Sequence, residues 1–340
     1  MRPVIAISVG CPAGIGPEVA VAAAARSRDA AIVLVADRWV VERAAKIVGV
    51  ARGRFVDVAG RTMLRDLARN RGAIGRLADA ASLPQTSAQF GRPTREAGRA
   101  QLAWIDQATD LVASGAARAL VTGPVSKHAI ASSGARAKSF RGHTEYLGER
   151  LDAREVVMAF WAERLVISLV TTHLPIVRLA RAITPAAVET AIFFTVDLVR
   201  RLGKRVPRLA VCGLNPHAGE NGLLGTEEVA RIEPGLAQAR RRLARAGLRA
   251  TIEGPIGAES AVRKAYAGAY DAVVAMYHDQ ATIPMKLVGF GDAVNVTLGL
   301  PIVRTSVDHG TGYDIAGTGK ADSRGMKAAI SLAVRLAEKR

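Results

Sequence analysis

Short aliphatic runs recur along this chain. Each is followed by a Gly- or Pro-containing loop and then by an Ala-rich stretch, and this alternation constrains the fold more than any other feature. Val4–Val9 leads into GCPAGIGPE and a helix expected from about Pro17, and Ala30–Ala36 leads into a helix near Trp39–Val48. Ala119–Thr122 runs into GPVSK, Leu165–Thr171 into the HLP turn, Leu209–Leu214 into NPHAGE, and Ala272–Met276 into YHDQ. Alternating strand and helix signals imply an α/β architecture with mainly parallel strands. At 340 residues the chain has room for two lobes or for one large unit. It shows neither a fixed-period repeat nor a low-complexity linker. Residues 51–100, polar and Gly-rich, read as a surface excursion.

The formal net charge of +17 invites a nucleic-acid reading. The distribution argues against it. Only nine of the 47 basic residues are lysine, the arginines are scattered, and the densest run, Arg240–Arg242 with Arg245 and Arg249, lies in an Ala/Leu-rich helical stretch without aromatics. The charge instead suits an anionic, phosphorylated substrate. The longest apolar runs fall far short of the ~20 residues that a membrane span needs. The N-terminal run, Val4–Val9, is too short for a signal peptide. Two cysteines, Cys11 and Cys212, make no disulfide scaffold and fit a reducing cytosol.

Three of the six histidines, His173, His217 and His278, follow the carboxyl ends of expected strands. In open α/β sheets the loops beyond those ends form the ligand crevice. Three imidazoles and an open position are a catalytic Zn²⁺ donor set, although no short-range spacing ties these three together. The loop Gly10–Glu18 is neither G-x-G-x-x-G nor a Walker A loop. It reads equally as a backbone surface for a cofactor or anion and as a tight turn. Phe140–Glu145 is a compact polar cluster in which His143 and Thr144 suit a carboxylate or phosphate oxygen; alternatively, Thr144 sits near a helix cap. Asp279, Lys286, Asn295 and Arg304 lie between apolar segments, and a lysine and an arginine reaching one site would clamp a phosphate.

Taken together, the segments PAGIGPE, VTGPVSK, GHTE, TTHLP, GLNPHAGE, MYHDQ, GFG, NVTLGLP, RTSVDHGT and AGTGKAD resemble the 4-hydroxythreonine-4-phosphate dehydrogenase family of pyridoxal phosphate (vitamin B6, pyridoxine) biosynthesis. The resemblance runs through most of the chain in the family's order and is weak only around 50–90. It implies a fold of the isocitrate/isopropylmalate dehydrogenase type, with two α/β/α lobes around a cleft, rather than a Rossmann fold. The first lobe is expected over 1–125 plus about 295–340. The second, over about 126–294, would carry most metal and substrate residues. The resemblance also implies a cytoplasmic homodimer with active sites shared between chains, NAD or NADP as hydride acceptor, and a divalent ion (zinc, magnesium or cobalt) on His173, His217 and His278. Substrate contacts carry over to His143, Thr144, Lys286, Asn295 and Arg304. In one arrangement, His278 completes a site begun by His173 and His217 of the partner. The chain departs from the family pattern at Cys11, where an acidic residue is usual, and at Ser126 and Arg141.

The implied reaction is oxidation of 4-phosphooxy-L-threonine to 2-amino-3-oxo-4-phosphooxybutanoate, which decarboxylates to 3-amino-2-oxopropyl phosphate. Threonate or erythronate 4-phosphate is the alternative substrate. Asp279 and Lys286 are both candidates for the base, and the residues that bind the nicotinamide are not identified. Two other functions are weighed beside this one. A zinc hydrolase built on the same histidines would turn over without nicotinamide, and a nucleic-acid binder would lose affinity steeply with salt.

Overall fold

The computed structural model describes residues 1–77, 81–289 and 291–338, so Phe290 of the GFG segment and the last two residues of the expected first lobe lie outside the described residues. The described residues divide into two compact units, 1–153 with 300–338, and 154–299. Each is an α/β unit.

In the first unit the strands are β1 (Val4–Ser8), β2 (Ala31–Val35), β3 (Phe55–Val58), β4 (Ile74–Leu77), β5 (Ala119–Thr122) and, close in space though far along the chain, β12 (Arg304–Val307). Their order is β3-β4-β2-β1-β5-β12, and every pair is parallel. β4 stands between β3 and β2, so the order is not the 3-2-1-4-5-6 of dinucleotide-binding sheets. The central strands are continuous aliphatic runs because both faces are covered. All five residues of β1 and of β2 are buried. The Ala-rich helix Gly16–Arg26 and the C-terminal helix Arg324–Ala337 bury apolar faces of this unit.

Residues 51–100 are not a surface excursion. They supply β3, β4 and the helix Gly60–Arg69, whose Leu64, Leu67 and Ala68 are buried. The strand pattern was hidden by charge. Arg76 in β4 is only 5% exposed, and it donates to Asp57 of β3 at 2.6 Å and to Glu42 at 3.2 Å. A paired ion replaces an aliphatic residue there, and the alternation is lost to the eye.

The division between units falls at 153/154 and 299/300, whereas the sequence reading put it near 125/126 and 294/295. Residues 126–153 pack on the long helix Arg95–Ala113. Gly98 of that helix admits the Ala129 carbonyl so closely that a Cβ would stand 2.1 Å from it. The Ser126 amide donates to Gln101 at 2.9 Å, and Arg150 reaches Asp106 and Asp110 at 3.4 and 2.6 Å. His143 and Thr144 therefore belong to the first unit.

The second unit holds β6 (Val157–Ala162), β7 (Leu165–Leu169), β8 (Arg208–Cys212), β9 (Thr251–Ile256), β10 (Ala272–Ala275) and β11 (Val294–Leu298). The order is β11-β6-β7-β10-β8-β9. β6 runs antiparallel to both β7 and β11, while β7, β10, β8 and β9 are mutually parallel. Phe160, Ile167, Leu169, Val273, Met285 and Cys212 meet in its core. Cys11 and Cys212 are free, buried thiols. Among the described residues no single helix is long and apolar enough to cross a membrane.

Candidate active site

The strand order of the second unit brings the three histidine-bearing loops side by side. β7, β10 and β8 are neighbours and parallel, so the loops carrying His173, His278 and His217 leave the same edge of the sheet. The His173 and His278 rings stand 5.6 Å apart between centroids, tilted by 44°, within one chain. An arrangement in which His278 completes a partner's His173 site is thus not needed to bring the two rings together. Between their loops lies a cavity of about 180 Å³, lined in part by Leu174, Ile176, Tyr277 and Asp279.

His278 opens the helix His278–Val288, and its Nδ1 is engaged by Asp279 Oδ1 at 2.7 Å and by Thr282 Oγ1 at 3.3 Å. Partners on one ring nitrogen fix the ring and leave Nε2 for a ligand. His217 lies in an exposed loop where residues 217–221 all have positive φ, His217 at 53°. Among the described residues no three His, Cys, Asp or Glu side chains stand close enough to close a metal site. What is built is the His173/His278 pair with His217 on the adjoining strand end. One exposed and one half-exposed imidazole beside a small cavity, the second oriented by a carboxylate, are donors that suit a divalent ion of the zinc or cobalt kind.

Asp279 touches His278. Lys286 is exposed eight residues along the same helix, about 12 Å by helical rise. Asn295 is half-buried in β11 opposite Phe160.

The first unit carries a second constellation. Arg304, 3% exposed at the start of β12, donates from Nη2 to Thr122 Oγ1 of β5 at 2.6 Å. Burial pushes the guanidinium down to about 9, against the pull of Glu145. His143 is half-exposed as a residue, yet its Nε2 is enclosed without a hydrogen-bond partner. Burial, with Arg304 and Lys127 nearby, holds its imidazole well below the usual value and so neutral. His143 begins the helix His143–Arg150, and Thr144 is buried in its first turn rather than acting as its cap. A side chain on Gly142 would meet Glu145 at 3.0 Å and Lys127 at 3.7 Å, so both groups flank this helix start. Arg304, Lys127, a neutral imidazole and a helix N-terminus together favour an anion with several oxygens. Sequence reasoning passed over Lys127, although it ends the VTGPVSK segment; a basic residue at a strand-to-helix loop was the available signal.

The Gly10–Glu18 loop turns out to be filled by its own chain. A Cβ on Gly14 would stand 2.4 Å from the Thr311 carbonyl, and Glu18 accepts from the Gly317 amide at 2.7 Å. Tight packing accounts for these two positions. Cys11 Sγ is 3.6 Å from Tyr313 Oη, and burial raises both groups above their ordinary values. A larger cavity, about 410 Å³, is lined by Arg2, Arg61, Arg65 and Arg118. Three of these arginines already cap helix C-termini, at Leu67 and Asn70, at Ser114 and at Ala337. Their charge is largely spent on those carbonyls.

The 4-hydroxythreonine-4-phosphate dehydrogenase of Desulfosudis oleivorans is 41% identical over 338 residues, covering 98% of this chain and 96% of its own length. The D-threonate 4-phosphate dehydrogenase of Salmonella typhimurium is 37% identical, with 98% of each chain covered. The crystal structure of 4-hydroxythreonine-4-phosphate dehydrogenase from Klebsiella pneumoniae superposes with a TM-score of 0.84 at 34% identity, covering 99% of this chain and 100% of that one. The family described as pyridoxal phosphate biosynthetic protein PdxA matches residues 28–333, and this chain belongs to that family.

Proposed function

We propose that this oxidoreductase converts 4-phosphooxy-L-threonine, with NAD⁺ or NADP⁺, to 2-amino-3-oxo-4-phosphooxybutanoate, which loses CO₂ to give 3-amino-2-oxopropyl phosphate in vitamin B6 biosynthesis. The observation that carries this reading is the His173/His278 pair at the end of adjoining parallel strands. Together with His217 these residues would hold a divalent ion, Zn²⁺, Mg²⁺ or Co²⁺. When bound, such an ion polarises the alcohol oxygen and then the keto oxygen as a Lewis acid.

The chain's own residues do the rest. Asp279 keeps His278 oriented. Arg304 and Lys127 supply positive charge for the phosphate, with His143 and Thr144 at the helix start beside them; Lys286 and Asn295 complete the substrate contacts. Held in this way, the substrate presents its carbinol C–H to the nicotinamide. Hydride passes to the cofactor and the hydroxyl proton to a base, Asp279 or Lys286. The bond to the carboxylate then breaks, and its electron pair moves toward the ketone. The protein acts as a homodimer in a reducing cytoplasm, its two free thiols buried. Exposed Ile176, Val177 and Leu287 supply apolar surface for a partner. Within that dimer the active sites are shared between the two chains.

A second reading, threonate or erythronate 4-phosphate as substrate, is favoured by the Salmonella relative's name. A kinetic screen of phosphorylated four-carbon hydroxy acids with and without the amino group, using both nicotinamides, separates the two. Turnover of none of them, or turnover without nicotinamide, overturns the dehydrogenase assignment.

A further inference from the structure

The loop that carries His217 is folded around a buried carboxylate. It leaves β8 at Gly213, and its residues His217, Ala218, Gly219, Glu220 and Asn221 all have positive φ, from 44° to 80°. Four of these five are not glycine. A left-handed run of residues with side chains is costly by itself, so contacts elsewhere must hold it. Glu228 supplies a set of them. It stands in the turn before the helix Glu233–Arg245 and is 2% exposed. Its Oε1 accepts from the Leu214 and Asn215 amides at 2.8 Å each, and its Oε2 accepts from Asn215 Nδ2 at 2.9 Å. Two successive backbone amides converging on one oxygen are the arrangement by which turns hold anions, and here the anion is the chain's own. A Cβ on Gly219 would stand 2.7 Å from Glu228 Oε2, so the far side of the loop closes on the same group.

A glutamate is the one side chain of this length that accepts on both of its terminal atoms. Glutamine would offer a single oxygen and turn its Nε2 toward another donor, either Asn215 Nδ2 or the two amides. We infer that Glu228 is a positioning residue: its buried carboxylate is the anchor on which the 213–225 loop folds, and the loop so held presents the His217 imidazole to the ion. The inference rests on the reading of His217 as a ligand, and it holds whichever chain supplies the other ligands. Glu227 adds a second grip, since its Oε2 accepts from the same Asn215 Nδ2 at 2.8 Å. Together these contacts explain how an exposed histidine on a left-handed loop is kept in one place.

The test reads the loop and the ion separately, on the full chain. Hydrogen exchange of the 209–226 segment is followed by mass spectrometry in metal-free protein, and Co²⁺ is then titrated in and followed by its visible absorption. The proteins are the wild type, Glu228→Gln, His217→Ala and the double variant. Glu228→Gln is expected to speed exchange in that segment by about ten- to a hundredfold, the loss of a charge-assisted bond read as local opening, while β7 and β10 exchange as in the wild type. It is expected to raise the Co²⁺ Kd about tenfold, the usual cost of losing support behind a metal ligand. The double variant should bind no more weakly than His217→Ala alone, because an absent imidazole cannot be misplaced. Three outcomes overturn the positioning role and leave the metal reading standing: unchanged exchange in Glu228→Gln, a wild-type Kd in Glu228→Gln beside a weakened His217→Ala, or losses that multiply in the double variant. A wild type that takes up no Co²⁺, or a His217→Ala chain that binds like the wild type, overturns both. Should Glu228→Gln fail to fold, Glu228→Asp, which keeps the charge but draws it back by one methylene, enters the same cycle with the same expected outcome.

Discussion

The Arg304 guanidinium donates to the Thr122 hydroxyl at 2.6 Å, across neighbouring strands β12 and β5 that lie 182 residues apart in sequence. A charge buried to this degree is costly unless something compensates it. Thr122 orients the group, and the Glu145 carboxylate favours its charged form. The proposed substrate phosphate would add a further negative partner to this group.

Replacing Arg304 by Ala should therefore lower kcat/KM for the phosphorylated substrate by about ten- to a hundredfold, the loss of a charge-assisted contact of roughly 1.5–3 kcal/mol. Lys127→Met and Lys286→Ala should each act in the same direction. Steady-state kinetics with and without the substrate phosphate provide the check: the Arg304 and Lys127 defects should shrink toward wild type when the phosphate is absent from both. Wild-type kinetics in all three variants would move the phosphate elsewhere.

Removal of divalent ions should abolish turnover and leave the fold standing. The His173/His278 pair lies on loops beyond strand ends, while the core of that unit is aliphatic and aromatic. After chelation and verified metal loss, NADH formation should vanish while the thermal transition persists. Unfolding on chelation would make the site structural instead.

Mixing chains that carry His173→Ala with chains that carry His278→Ala should restore activity if each site takes His278 from one chain and His173 from its partner. Half of randomly assorted dimers are mixed and one of the two sites in each carries both wild-type rings, so recovery should approach about a quarter of wild-type sites. No recovery in heterodimers isolated with two tags would mean that both rings serve the site of one chain, in which they stand 5.6 Å apart.

Burial pushes the Cys212 thiol up to about 12, from an ordinary value of 9.0. A raised thiol stays protonated in the folded state while the unfolded chain ionises. Its contribution is fully present below pH 9 and is lost as pH rises toward 12, by about 1.4 kcal/mol per pH unit. Denaturant melts at pH 7, 9 and 10.5 should show Cys212→Ala less stable than wild type at pH 7, through lost packing, with the gap narrowing as pH rises. A gap that stays constant with pH would show that the thiol is not held protonated.

Much of this molecule could be read from its residues in order. The buried parallel strands are plain because a strand covered on both faces needs an unbroken aliphatic run, and Val4–Ser8 and Ala31–Val35 are such runs. His173, His217 and His278 stood out for a related reason, since each follows another such run within a few residues. β3 and β4 stayed hidden because Arg76, Asp57 and Glu42 satisfy one another inside the sheet edge, and a charge paired in space looks solvent-exposed in sequence.

The amino-acid sequence by itself determined the α/β class, the aliphatic strands, the strand-end placement of His173, His217 and His278, and the kinship carried by their motifs. Only the tertiary structure decided the strand order β7-β10-β8, which places loops more than a hundred residues apart at one edge and brings His173 to His278. It alone also joined Lys127 and Arg304 to His143. The physical reason is that periodicity and local propensity act over a few neighbouring residues, whereas strand order follows from how whole faces are buried against one another. A buried charge such as Arg304 shows its surroundings only when the hydroxyl and the carboxylate near it have been brought to it.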